Sequence, residues 1–456
     1  MLACQPRPLS EAASYLADAE SCRASASSPR ARRLPAGATA LSPITSRVGG
    51  ADALAIRGSP TVGALEMVRV GVYNLYWSTY GGGEQVAGTL AAHLAARPGV
   101  EVTLLGPEAV DIEATRDRLG IDLGRCAWRR VTDDDEAGQA SADFDLFVNV
   151  TYLSRAVSQA AESWYYVHFP SVPTGTRARR VDRVARLGLR ALGERELPAA
   201  LDGVREGLRR RRIDQSWVSS YTRFLSNSRY TAGWVERFWG VSSGVLHPPV
   251  TPLVTASGER EPLILALGRF FDPVYGHSKK QDALLDSWLE LEDRVEAESW
   301  RLVLVGGADA RSRDFVLGLK RRALDHRVDI RVNAPRSEVA ALLSRASVLW
   351  HAAGLEEDPE VHPDRFEHFG IAVVEAMAAG LVTMVFGAAG PAEVVEHDVS
   401  GLHWHDRADL LEQTTALLAD PGRRGRLSSA AIERADDFGV ASFGQSVDRL
   451  LDEVVG

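Results

Sequence analysis

The sequence predicts an α/β protein built from two doubly wound, parallel-sheet domains that face each other across a central cleft. Two observations favour this fold class. From Met67 onward, short apolar runs alternate with amphipathic stretches, and the same alternation starts again after a proline-rich segment near residue 250. The apolar runs are continuous, which is typical of parallel strands covered on both faces. We therefore expect two Rossmann-like halves whose strands end at the cleft, where ligands bind.

Length, charge and cysteine usage limit the classes of protein to consider. A chain of 456 residues is too long for one hydrophobic core and indicates two domains. The net charge of −9 disfavours nucleic-acid binding, which needs a basic surface. Cys4, Cys22 and Cys126 match neither a disulfide framework nor a zinc site. Because no apolar stretch reaches the roughly 18–20 residues of a membrane span, we expect a soluble cytoplasmic protein.

Residues 1–66 differ in composition from the rest of the chain. They are rich in Ser, Ala, Arg, Pro and Gly and have no sustained apolar period. Such a segment buries too little apolar surface to offset the entropy lost on ordering. We expect a disordered extension or a start site assigned too early, with a transit peptide as the alternative.

The N-terminal domain is expected to span residues 67–250. Its predicted strands are rich in β-branched and aromatic residues, and a helix is expected between the first two. The strand candidates are 68–73, 100–106, 144–150, 164–169, 215–220 and 224–228, and the helix candidate is 83–97. The triple glycine Gly81–Gly83 comes too late after the first strand for a dinucleotide-binding fingerprint, which disfavours a nicotinamide oxidoreductase.

A linker at 251–262 separates this domain from a second one at 263–456. The segment 245–262 carries four prolines, as interdomain linkers often do. The second domain repeats the pattern of strands and helices, and we expect its last helix to pack back on the N-terminal domain. Its strand candidates are 263–269, 301–307, 328–334, 347–353 and 382–387, with a helix at 337–346.

Lysine is rare in this chain, and its placement is informative. Only Lys279, Lys280 and Lys320 are lysines among the 52 basic residues, and the rest are arginine. An ammonium is a compact point charge that can press against a single phosphate oxygen. Taken alone, the adjacent pair Lys279 and Lys280 predicts either an anion site or a solvated loop.

The segment 365–380, RFEHFGIAVVEAMAAG, predicts a helix that starts near Gly370. Glu375 follows Ile371 by four residues, so both side chains lie on the same, buried side of that helix. Residues 366–406 contain no Lys or Arg that could neutralise a buried carboxylate. The partner of Glu375 must come from elsewhere in the fold or from a ligand, such as a ribose or sugar hydroxyl. The helix N-terminus favours a phosphate.

At these residues the chain resembles the retaining glycosyltransferases of family 4, whose signature is two glutamates separated by seven residues. Here they are Glu367 and Glu375. The resemblance runs from about Met67 to the C-terminus, and several further segments fit members that mannosylate lipid-linked oligosaccharides. These segments are GGGEQVA (81–87), YYVHFP (165–170), LSNSRYTAGWVERFWG (225–240), HPPV (247–250) and LGRF followed by SKKQD.

The resemblance implies the GT-B fold and assigns roles to individual residues. Arg269 and Lys279 would hold the donor diphosphate, with Lys280 at the variable position beside it, and the amides of Phe369, Gly370 and Ile371 would assist. Glu375 would bind the ribose and Glu367 a hydroxyl of the donor sugar. From the opposite domain, His168 would contact that sugar, and Gly82 and Gly83 would belong to the glycine-rich loop that binds the donor. No metal and no cofactor would be needed.

The implied reaction moves a sugar, with mannose favoured, from GDP-mannose or a UDP-sugar to a glycan or lipid-linked acceptor with retention of configuration. A sugar-nucleotide 2-epimerase and a non-catalytic sugar-binding module are the alternatives. One departure concerns AAGPAE (388–393), where Ala389 replaces the first of two glycines that relatives carry. That methyl group makes the identity of the acceptor less certain than the chemistry.

Two further features bear on partners. Residues 177–212 carry twelve arginines against five acidic residues, which predicts either a membrane-surface helix that contacts anionic lipid or a solvated helix. In the first case the protein would be peripheral at the inner face of the membrane. The histidines at 351, 362, 368, 403 and 405 match no metal site of known spacing, and we expect no metal.

Overall fold

The computed structural model describes residues 67–171, 215–256, 258–273, 278–292 and 300–455. These residues form two fully parallel sheets with flanking helices, and the predicted fold class is confirmed. The predictions for residues 1–66 and 177–212 lie outside the described residues. Among the described residues, no helix is both long and apolar enough to cross a membrane.

The N-terminal sheet has seven strands in the order β3-β2-β1-β4-β5-β6-β7. The strand order reverses between β1 and β4, as in other doubly wound folds. The strands are β1 (Val68–Tyr73), β2 (Val100–Gly106), β3 (Ala127–Arg130), β4 (Leu146–Asn149), β5 (Glu162–Val167), β6 (Arg223–Ser226) and β7 (Gly244–Val245). The helices are α1 (Gly82–Ala95), α2 (Ile112–Leu119), α3 (Asp134–Ala140) and α4 (Arg229–Trp239).

The C-terminal sheet has six strands in the order β10-β9-β8-β11-β12-β13. The strands are β8 (Leu263–Leu267), β9 (Arg301–Gly306), β10 (Val328–Val332), β11 (Val348–His351), β12 (Val382–Phe386) and β13 (Gly401–Trp404). The helices are α5 (Gln281–Glu292), α6 (Arg313–Arg322), α7 (Arg336–Arg345), α8 (Ile371–Ala378), α9 (Ala389–Val394), α10 (Arg407–Ala419), α11 (Pro421–Ala435) and α12 (Val440–Val455).

One predicted strand is wrong. The segment 215–220 contains a 3₁₀ helix at Ser216–Ser220. Its serines bond to their own backbone, since the hydroxyl of Ser219 donates to the carbonyl of Ser216 at 3.0 Å and that of Ser220 donates to the carbonyl of Trp217 at 2.7 Å. Local bonds of this kind compete with the ladder of a sheet. The sequence prediction also missed β3, β7 and β13; β3 is an exposed edge strand without an apolar run.

The C-terminal helix α12 packs on the N-terminal domain. Phe443, Val447 and Leu451 are buried in the same core cluster as side chains of β1, β2 and α1. The carboxylate of Asp448 also accepts a hydrogen bond at 2.8 Å from the imidazole of His93 on α1. The chain therefore crosses between the two sheets twice, once at the linker and once before α12.

Candidate active site

An ion pair lies at the carboxyl end of the C-terminal sheet, where doubly wound folds bind ligands. The ammonium of Lys279 donates to Oε2 of Glu367, and Nε2 of His351 lies 3.3 Å from the same oxygen. Burial disfavours the charged carboxylate, but the charge of Lys279 and the hydrogen bond from His351 outweigh burial and hold the pKa of Glu367 well below its usual range. Glu367 is therefore ionised at neutral pH.

Two other basic residues near this site, Arg269 and Lys280, differ in their ion-pair partners. Arg269 follows β8 and is exposed, and within the described part of the chain its guanidinium has no hydrogen bond or ion pair. The ammonium of Lys280 instead donates to Glu357 at 2.8 Å, and Arg365 bonds the other oxygen of that carboxylate at 3.1 Å. Lys280 is thus committed to a largely buried ion pair, and its role in donor binding stays a prediction.

The start of α8 lies beside Glu367. Gly370 precedes the helix with φ of 104°, a left-handed conformation that favours glycine. The first-turn N–H groups of Ile371 and Ala372 have no partner within the helix, and both residues line a cavity between the two domains. The predicted helix is confirmed, and its N-terminus points its free N–H groups and positive dipole end at this space.

The cavity has a volume of about 320 Å³ and contains the second glutamate of the pair. Glu375 lies one turn after Ile371, as predicted, and its carboxylate accepts no hydrogen bond from any described residue. Burial raises the pKa of Glu375 to about 7, and the charge of Arg336 opposes that rise. The lining residues are Tyr80, Gly81, Gly82, Gln85, Arg118, Leu119, Thr251, Arg336, Ile371, Ala372 and Glu375.

The N-terminal domain supplies the opposite wall through its glycine-rich loop. A Cβ at Gly82 would lie 2.7 Å from Cδ1 of Ile371, so a larger residue there would require the Ile371 side chain to shift. Next to it, a Cβ built on Gly83 would lie 3.2 Å from Cε1 of His168. Glu84 accepts hydrogen bonds from the amide of Gly81 at 2.7 Å and the hydroxyl of Thr79 at 2.6 Å, which fixes the loop at the start of α1.

His168 follows β5 at the carboxyl end of the N-terminal sheet. Its Nε2 lies 2.8 Å from the carbonyl oxygen of Val150. Because a carbonyl only accepts, Nε2 must carry the hydrogen, and burial lowers the pKa of His168, which favours the neutral ring. The neutral ring leaves Nδ1 as a hydrogen-bond acceptor. His168 is therefore held by the backbone through one nitrogen and keeps the other for a hydroxyl donor.

The departure at Ala389 has a structural consequence. Ala389 opens α9 with φ of 56°, a left-handed conformation that costs an alanine about 1–2 kcal/mol. The next residue must be glycine, because a Cβ at Gly390 would lie 2.3 Å from the carbonyl oxygen of His368. Ala389 therefore adopts a backbone conformation that glycine would adopt without this cost.

Several residues of this region were not predicted. The predicted strand 347–353 contains His351, which was considered only as a metal ligand. Arg118 and Arg336 sit in helices that carry no motif. Glu393 lies within AAGPAE, and its carboxylate accepts from the amides of Arg229 at 2.8 Å and Tyr230 at 2.6 Å, which caps α4 from the other domain. Among the described residues, no cluster of His, Cys, Asp or Glu could hold a metal ion.

Residues 254–434, which contain Arg269, Lys279, Glu367 and Glu375, match the family model of glycosyl transferases group 1. Over these residues the C-terminal domain is similar to group 1 glycosyl transferases. This confirms the resemblance and covers β8 through most of α11.

Curated relatives add a more specific likeness. The chain is 27% identical over 258 residues to the GDP-Man:Man(3)GlcNAc(2)-PP-Dol alpha-1,2-mannosyltransferase of Dictyostelium discoideum, covering 52% of this chain and 48% of that protein. It is 32% identical over 212 residues to the D-inositol 3-phosphate glycosyltransferase of Xylanimonas cellulosilytica, covering 44% and 46%. The chain thus spans about half the length of the curated relatives it matches.

Solved structures extend the likeness in fold to both domains. Anabaena HepE in complex with UDP superposes with a TM-score of 0.58 at 16% identity, covering 85% of this chain and all of that one. The sucrose-phosphate synthase from Thermosynechococcus elongatus gives a TM-score of 0.57 at 16% identity, covering 85% and 99%. The architecture is GT-B, as the resemblance implied.

Proposed function

We propose that this protein is a retaining glycosyltransferase that moves a sugar, with mannose favoured, from a nucleotide diphosphate to a glycan or lipid-linked acceptor. One observation carries the proposal. An unpaired carboxylate, Glu375, lies in a cavity of about 320 Å³ between the domains, and α8 connects it to the ionised Glu367. The likeness to a mannosyltransferase that acts on a dolichol-linked glycan favours mannose and a lipid-linked acceptor.

The proposed roles follow from the charges around α8. Arg269, Lys279 and the first amides of α8 would stabilise negative charge that grows on the departing diphosphate, which is the main task of such a site. Glu375 would accept hydrogen bonds from the ribose and Glu367 from the donor sugar, while Nδ1 of His168 accepts from the same sugar. A donor phosphate oxygen takes the acceptor's proton, so the protein supplies no nucleophile. Neither a metal nor a cofactor has a role in this scheme.

A thermal-shift panel of GDP, UDP and ADP sugars tests the proposal, because a ligand that binds only the folded state raises the melting temperature. We expect one base to give a clear shift, with GDP-mannose favoured. Donor consumption that needs an added lipid-linked or glycan acceptor would support transfer. Product formed from the nucleotide sugar alone would indicate a 2-epimerase, and binding without turnover under any acceptor would indicate a sugar-binding module.

A peripheral location at the cytoplasmic face of a membrane belongs to the same proposal, since a lipid-linked acceptor is presented there. The basic composition of residues 177–212 supports contact with anionic lipid. Sedimentation with anionic but not neutral vesicles, weakened by salt, is the expected result. Equal recovery with both kinds of vesicle would contradict it.

A further inference from the structure

The two oxygens of Glu367 are used differently. Oε2 receives both the ammonium of Lys279 and Nε2 of His351, whereas Oε1 accepts no hydrogen bond from the described residues. The side chain of Glu367 is 22% exposed, so Oε1 is open to a ligand. A carboxylate that is fixed through one oxygen presents the other in a defined direction. Whatever fixes Oε2 therefore decides where a sugar hydroxyl can bind.

The two partners of Oε2, Lys279 and His351, differ in flexibility and in whether a bound diphosphate would compete for them. Lys279 has a flexible four-carbon stem, and a bound diphosphate would compete with Glu367 for its ammonium. His351 is the last residue of β11, is 5% exposed and pairs in register with Val385 of β12. The sheet fixes the backbone of His351, and burial leaves its ring little room to move. When Lys279 turns toward the diphosphate, His351 is the partner that stays.

The protonation of His351 follows from the geometry. A carboxylate only accepts, so Nε2 must carry a hydrogen. Nδ1 is buried and has no hydrogen-bond partner among the described residues. Buried polar atoms in native proteins usually have a partner, so the unpaired Nδ1 needs an explanation. A neutral imidazole carries one hydrogen, and here that hydrogen is needed on Nε2 to bond Glu367.

We propose that His351 is a positioning residue of this site. Its Nε2–H holds Oε2 of Glu367, so that Oε1 faces the donor sugar while Lys279 serves the diphosphate. This inference rests on the proposed function, because it assigns Glu367 to the sugar of a nucleotide donor. It adds a residue that acts through Glu367 and touches no substrate itself.

The test compares His351→Leu, which removes the donor, with His351→Gln, whose amide can donate from a similar distance. We expect His351→Leu to lower kcat by about 10- to 100-fold, the usual loss when a group that orients a functional side chain is removed. The affinity for the nucleoside diphosphate without sugar should change less than about threefold, since that ligand lacks the group Glu367 binds. His351→Gln should recover most of kcat.

A matched control is His403→Leu, which removes a half-buried histidine of the same domain whose Nε2 bonds the carbonyl of Val395 at 2.7 Å. It should leave kcat within about threefold of wild type, as expected for a residue outside the site. A purely structural His351 would instead give equal losses of stability in the Leu and Gln variants with kcat retained. That result, or wild-type kcat in His351→Leu, would overturn the inference.

Two further measurements keep the inference testable if the Leu variant does not fold. ¹⁵N-labelled histidine spectra of the wild-type protein should show His351 with hydrogen on Nε2 and a bare Nδ1, and Glu367→Gln should shift the Nε2 signal. Hydrogen on Nδ1 would contradict the geometry. If wild type binds none of the GDP, UDP and ADP sugars, the proposed function fails; if it binds and transfers while His351→Leu behaves as wild type, only this inference fails.

Discussion

Lys279 and Lys280 are neighbours in the chain but have different partners, and substitutions should separate them. Lys279→Ala should lower kcat by about 100- to 1000-fold, because it removes one preorganised cation from the departing diphosphate. Lys279→Arg should rescue only in part, since a planar guanidinium does not occupy the space of an ammonium. Lys280→Ala should lose at most about tenfold in kcat and act on stability instead, because it leaves the buried Glu357 with Arg365 alone.

The measurement for these variants is donor turnover together with the melting temperature. Near-wild-type turnover in Lys279→Ala, or a greater loss in Lys280→Ala at full stability, would reverse the assignment.

The proposed role of Glu375 predicts that donor binding depends on pH. Its pKa of about 7 means that it is partly protonated near neutrality, and hydroxyl groups bind the ionised form. The affinity for a nucleotide sugar should therefore rise as pH increases from about 6 to 8, and Glu375→Gln should bind more weakly with a flatter profile. Calorimetric titrations across this pH range measure the affinity of both proteins for the nucleotide sugar. A wild-type profile as flat as that of Glu375→Gln would exclude Glu375 from the donor site.

Glu375 should also shape the stability of the unliganded protein. Its folded-state pKa lies above the ordinary value of 4.5, so the protonated form is favoured on folding and stability falls as pH rises from about 4.5 through about 7. Partial exposure and the nearby Arg336 limit this effect to roughly 1–3 kcal/mol. Denaturant titrations of Glu375→Gln should lack that part of the pH dependence.

At the level of elements, the turn into α9 carries strain that a single substitution can relieve. Ala389→Gly removes the Cβ from a residue with φ of 56°. The relief of about 1–2 kcal/mol is partly offset by the greater freedom of glycine in the unfolded chain, so the net gain should be about 0.5–1 kcal/mol. The free energy of unfolding from urea titration measures it. Ala388→Gly, one residue earlier in extended backbone, should destabilise instead.

An element could be predicted when its own sequence carries a local signal of its structure. The buried strands of both sheets could be located because they are continuous apolar runs. The helix after Gly370 could be placed because the spacing of its apolar residues and the glycine that follows it are local signals. β3 could not be found, because an exposed edge strand has no apolar run. The 3₁₀ helix at Ser216–Ser220 was mistaken for a strand, since its composition does not reveal the serine-to-backbone bonds that shape it.

The site was predictable to the extent that its chemistry is local in sequence. Glu367 and Glu375 share one segment, and the resemblance supplied Lys279. The contacts of His351 with Glu367 and of Glu393 with α4 are not local in sequence. The first needs a strand end to meet a loop, and the second joins residues 163 and 164 positions apart on different domains. Such contacts follow only from the way the domains pack.

On the scale of the whole molecule, α12 belongs by position in the chain to the C-terminal domain and by packing to the N-terminal one. Phe443 is 3% exposed within the N-terminal core. The two domains are therefore not independent segments, since the N-terminal core is completed by residues that follow the segment similar to group 1 glycosyl transferases. A chain cut after the linker would leave this face of the N-terminal core exposed to water.

Phe443→Ala tests this dependence. Removing a buried phenylalanine costs about 3–5 kcal/mol, and the loss should fall on the N-terminal sheet because that is where the ring packs. We expect hydrogen exchange to speed up in β1 and β2 while β8 to β12 keep their protection, and denaturant titration to report the energetic cost. Gln445→Ala, an exposed substitution on the same helix, should change stability by no more than about 0.5 kcal/mol. Faster exchange confined to β8 to β12 would mean that α12 stabilises the C-terminal domain, and unchanged stability would mean that it is not part of either core.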